Sequence, residues 1–144
     1  GKSEDSRVAK IRERLSGCVI CEQLDGALNR YAYTIAQLYG TNAEFKQMFD
    51  ASKGFCLPHL ALVLDMAQKT LPAAQADAFS KAVAAVELPN LKRLSDELEW
   101  FTLKYDFRNA DKPWGNSRDA VERSINKLMG ACVGDEAKMP AHND

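Results

Sequence analysis

Two pairs of metal-type donors place the strongest constraint on this chain. Cys18 and Cys21 form a C-x-x-C pair, and Cys56 and His59 form a C-x-x-H pair. Two residues separated by two others can both face one ion, because the backbone between them makes a tight turn. Each pair therefore reads as half of a four-donor site. The intervening residues, 22–55, are enough for a helical hairpin that returns the chain to its start. A structural zinc takes four soft or borderline donors and excludes water. Cys18, Cys21, Cys56 and His59 supply three thiolates and an imidazole. Both pairs fall at predicted helix N-termini, where free N–H groups favour thiolates. Gly54 can take a positive φ and turn the chain into Cys56, and Pro58 stiffens the backbone that carries His59. Such a closed set is structural and has no open position for activating water. The same donors also admit an iron–sulfur cluster. Cys18 and Cys21 at a helix start admit a thiol redox pair, although no βαβ pattern supports a thioredoxin-like fold. The plainest alternative is three buried cysteines and a satisfied core histidine.

Hydrophobic periodicity predicts an all-α fold, an antiparallel helical bundle of about five main helices in which the Cys3His metal site joins the starts of two helices. Residues 5–16 form a short helix with Val8, Ile11 and Leu15 on one face, broken at Gly17. The next helix runs from Val19 or Cys21 to Tyr39, with Leu24, Leu28, Tyr31, Ile35 and Leu38 inward and Gly40 as its stop. Thr41 or Asn42 caps a helix bearing Phe45, Met48 and Phe49. Leu57 opens another, with Pro58 in its first turn and Leu60, Val63, Leu64 and Ala67 on its buried face. Ala73 to Phe107 is the longest helical stretch. Leu91, Leu94, Leu98, Phe101 and Tyr105 recur in it as a packing seam, and Pro89 predicts a kink or a break. Beyond a polar loop, Asn116 or Ser117 caps a last helix with Val121, Ile125, Leu128 and Cys132 inward. The chain thus divides into an N-terminal arm or short helix (1–17), a metal-binding helical domain (18–133) and a disordered tail (134–144).

The chain has 144 residues, 46% of them apolar, and reads as one domain able to bury a core without disulfides. Its 19 basic and 20 acidic residues nearly cancel, so it lacks the basic footprint of a nucleic-acid binder. No run approaches the roughly 20 apolar residues of a membrane span. The cysteine spacing reads as thiol use in a reducing cytoplasm rather than as secreted disulfides. Gly1 in place of an initiator Met reads as a tag remnant on a fragment of a longer protein. Catalysis finds little footing. His59 belongs to the metal pair, His142 lies in the polar tail, Asp106 and Glu97 are scattered, and phosphate-binding glycine loops are absent. The aromatic residues Tyr105, Phe107 and Trp114, among Asp106, Arg108, Asn109 and Asp111, read as an anchored connector that orients the last helix.

Several strings carry a resemblance: Cys18-Val19-Ile20-Cys21-Glu22, Lys53-Gly54-Phe55-Cys56-Leu57-Pro58-His59, Asn90-Leu91-Lys92-Arg93-Leu94, Lys104-Tyr105-Asp106-Phe107-Arg108-Asn109 and Pro113-Trp114-Gly115-Asn116-Ser117. Across about residues 16–131 the chain resembles the C-terminal half of a bacterial family of uncharacterised cytoplasmic proteins. Full-length members hold two Cys/His halves in tandem, and some are labelled as ABC-transporter components. The resemblance implies that Cys18, Cys21, Cys56 and His59 are motif positions, and it implies no reaction. A periplasmic binding protein would be larger, α/β and exported, so nothing here supports the transporter label. The expectation is a zinc-stabilised interaction domain. A protein partner, or the missing N-terminal half, would pack on an apolar face that otherwise favours a homodimer. The alternative is an iron–sulfur or thiol-based redox or metal sensor.

Overall fold

The computed structural model describes residues 5–130. The expected disordered tail (134–144), and the positions expected for Cys132 and His142, lie outside those residues. Every regular element among the described residues is helical: α1 (Ser6–Ser16), α2 (Val19–Thr41), α3 (Ala43–Asp50), α4 (Leu57–Thr70), α5 (Ala73–Leu103), a 3-10 turn (Phe107–Asn109) and α6 (Ala120–Met129).

Two helix boundaries differ from the expected ones. α2 passes through Gly40 and ends at Asn42, whose extended backbone stops one helix while its side chain starts the next by accepting from the Phe45 N–H at 2.9 Å. A glycine in a helix costs about 1 kcal/mol, and here a strong cap two residues later decides the end. α5 likewise continues through Pro89. Proline removes one N–H from the helical ladder and crowds the preceding turn. The acceptor left without its helical donor is the Ala85 carbonyl, while the neighbouring Asn90 donates its side-chain amide to the Val86 carbonyl at 2.9 Å.

The central packing joins α2 to α4. Leu28, Tyr31, Ala32 and Ile35 of α2 share a cleft with His59, Leu62 and Val63 of α4. Tyr39, Gly40 and Thr41 share another with Leu71, just past the end of α4. The two helices therefore run parallel and start at the same end, with α3 bringing the chain back between them. Their seam is built on alanine: Ala32, Ala36 and Ala67 are at most 1% exposed. Small side chains let the backbones approach, while Tyr31 and Leu24, expected inward, are largely exposed. An aromatic cluster of Tyr39, Phe49 and Phe79 closes the far end, with centroids 5.1–5.7 Å apart. Each such pair contributes about 0.5–1.5 kcal/mol beyond simple burial.

α6 packs on α5 with its charged side inward. Ala120 and Lys127 are buried, and the Arg123 side chain is 11% exposed, whereas Val121, Ile125 and Leu128 face outward. The expected inward stripe is therefore the outer one. Neither Asn116 nor Ser117 caps this helix: it begins at Ala120, and the buried Ser117 hydroxyl donates to the Trp114 carbonyl at 2.7 Å. The connector is organised by Lys104, a buried cation whose ammonium donates to the carbonyls of Asn109, Ala110 and Lys112 at 2.6–2.8 Å. Three donors meet three acceptors, which satisfies the group without a carboxylate.

Candidate functional site

The four expected ligands form two separate pairs. Cys18 is the N-cap residue of α2, and Cys21 lies in its first turn. The Cys18 thiol is held below the usual thiol range, chiefly by the backbone N–H of Cys21 and then by the Cys21 thiol, which donates to it. Cys21 is pushed up, first by that same bond. Both residues are exposed. Around them Leu15, Val19, Ile20 and Leu24 are exposed as well, so among the described residues this end of α2 is not buried against another element.

The second pair sits at the start of α4. Cys56 is the N-cap residue, Pro58 occupies the first turn, and the Cys56 sulfur lies 2.9 Å from His59 Nδ1. Both residues are half-buried. The loop leading into them is fastened from a distance. Glu87, only 3% exposed, accepts from the Phe55 N–H at 2.5 Å. Lys127 neutralises Glu87 at 2.5 Å and also donates to the Lys53 carbonyl at 3.2 Å. Gly54 holds φ at 72°, and a Cβ there would collide with the Glu87 carboxylate. The glycine expected only to turn the chain is thus also the space in which the buried carboxylate sits. A Cβ placed on Gly130, at the end of α6, would lie 3.1 Å from the Cys56 sulfur, so α6 abuts this pair directly.

Both pairs lie at the same end of the bundle, at different heights. His59 stands level with the middle of α2, so at 1.5 Å rise per residue Cys21 and Cys18 sit roughly 9–14 Å beyond Cys56 along the axis. Among the described residues no three His, Cys, Asp or Glu side chains are grouped closely enough to hold one metal ion. The donor types suit zinc, and each pair is internally close.

The supporting residues Glu87 and Lys127 escaped the sequence reading. A signal was available. Glu87 falls on the stripe that carries Phe79, Val83 and Leu94, and Lys127 falls on the stripe of Ala120. Opposite charges on two buried stripes need each other, because an unpaired buried charge is costly.

Fold and site together define an all-helical domain with an exposed thiol pair and a half-buried thiol–imidazole pair at one end. The chain belongs to a family of unknown function, DUF6062, which it matches over residues 1–135. Comparison with curated proteins and with solved structures returned no match. None of the described helices is long and apolar enough to cross a membrane.

Proposed function

We propose that the chain is a metal-binding helical domain in which Cys18, Cys21, Cys56 and His59 hold a structural zinc ion, and that it acts in the cytoplasm as an interaction module. The supporting observation is that two thiol-bearing pairs, each already close within itself, stand at the starts of parallel helices. Sharing one ion requires the outer turns of α2 to approach α4, and no buried residue of α2 precedes Ala32 to oppose that movement. The partner surface would be the exposed apolar residues Val8, Ile11, Leu15, Val19, Ile20 and Leu24. Its occupant in this reading is a second Cys/His half of the same protein, in keeping with a tandem arrangement. Elemental analysis of protein purified under reducing conditions tests the proposal. One zinc per chain is expected, lost when Cys18→Ser and His59→Ala are combined, together with a lower melting temperature after chelation. Metal-free protein that also fails to take up added zinc would refute it.

A thiol redox pair is the second reading, favoured by one observation: Cys18 and Cys21 are both exposed, one turn apart at the start of α2. Reversible formation of a Cys18–Cys21 disulfide, without stoichiometric metal, would select it. An iron–sulfur cluster would instead give a coloured protein after anaerobic purification.

A further inference from the structure

A second hollow lies beside Cys56 and shares only Phe55 with His59's apolar cleft. Between α5, α6 and the 53–56 loop is a hollow of about 180 Å³. Its charged wall consists of Lys53, Arg93, Arg123 and Lys127, its amides are Asn90 and Asn126, and among the described residues no carboxylate lines it. The carboxylates bind the cations from elsewhere. Glu97 accepts from Arg93 Nη1 at 2.9 and 3.0 Å and also from Arg123. Glu87 accepts from Lys127, and Asp119 accepts from Arg123 at 2.9 Å.

We propose that this hollow binds a small oxyanion, the phosphate or carboxylate group of a small molecule. Three features of the geometry carry the assignment. Four cations face three carboxylates in this network, which leaves one positive charge over. The buried partners hold Arg123 and Lys127 in place, with side chains 11% and 9% exposed, so little side-chain freedom remains to be lost when an anion arrives. Arg93 engages Glu97 through Nη1 alone among the described residues, so the rest of its fork is available for a second planar or tetrahedral oxyanion. Size limits the ligand. The hollow measures about 180 Å³. That suits one phosphate or short carboxylate and is well below the roughly 300–1,000 Å³ of sites for drug-sized molecules. A purely structural ion-pair cluster would have its own carboxylates interleaved along the wall, not confined behind it.

The test is a two-dimensional ¹⁵N NMR titration of the full chain with inorganic phosphate in one arm and acetate in the other, at constant ionic strength set by chloride. Saturable shifts are expected in the 53–56 loop and in the side-chain amides of Asn90 and Asn126. Arg93→Gln should weaken phosphate binding at least tenfold, and the exposed Lys53→Gln should weaken it several-fold. Lys81→Gln, remote from the hollow, should leave it unchanged. The arm with the tighter saturation identifies the anion class. Shifts that stay linear, or that chloride alone reproduces, would overturn the proposal. So would equal affinity in Arg93→Gln and Lys53→Gln, each verified as folded by its spectrum.

Discussion

The starts of α2 and α4 present the same chemistry in opposite settings. Each offers a thiol at the N-cap and a second donor three residues on. At α4 the loop into Cys56 is clamped by a carboxylate on α5, a lysine on α6 and a glycine that makes room for the carboxylate. At α2, among the described residues, the pair Cys18 and Cys21 is shaped by its own helix and is surrounded by exposed apolar side chains. Donor identity comes from a four-residue motif, whereas donor placement comes from groups distant in sequence. Metal sites depend on such outer groups to orient their donors. The α4 half is therefore preorganised, and the α2 half is the part that a metal or a partner would have to order. Elements with few buried contacts open first, so the asymmetry has measurable consequences.

The largest expected effect is on the clamp. Glu87→Ala leaves a buried ammonium without its partner and should lower unfolding free energy by about 3–5 kcal/mol, read by urea denaturation. Leu15→Ala, at the exposed end, should change it by no more than about 0.5 kcal/mol. Similar losses in the two variants would erase the contrast between the helix starts. A middle-sized effect is expected for Gly54→Ala, about 1–3 kcal/mol, because alanine resists positive φ and its Cβ meets the Glu87 carboxylate. Placing the same test at Gly26 within α2, where the nearest atom is the tip of Arg30 at 3.6 Å, should be neutral or slightly stabilising. The smallest effect is chemical. The thiolate is the reactive form, and a lowered pKa means that Cys18 remains thiolate at pH values where Cys21 is already protonated. Alkylation followed by mass spectrometry should therefore label Cys18 before Cys21, with the ratio widening as pH falls below the ordinary thiol range. Labelling of Cys21 first would show that the bond between the two thiols runs the other way.

Much of the fold was legible in the sequence. The period of the apolar residues identified α1 to α5 closely, and the turn signals at Gly17 and Leu71-Pro72 fell where the chain breaks. Three readings went astray for identifiable reasons. Gly40 was weighed as a local stop, but Asn42 supplies a better one, and the break allowed for at Pro89 does not occur, since α5 continues through it. The inner face of α6 was assigned by hydropathy, whereas Arg123 and Lys127 had carboxylates waiting on α5. The α2 seam was assigned to its large residues, whereas the alanines set the approach distance.

By itself the sequence determined the helical class, most helix ends and the two donor pairs, because periodicity, capping and C-x-x-C spacing act within a few residues. The tertiary structure alone decided the heights of the two pairs relative to each other, the clamp of Glu87 on the 53–56 loop and the all-cationic hollow beside Cys56. Those depend on how far one helix slides along another and on which buried charges meet. Both are settled by close packing and desolvation between segments that have no neighbourhood in the chain.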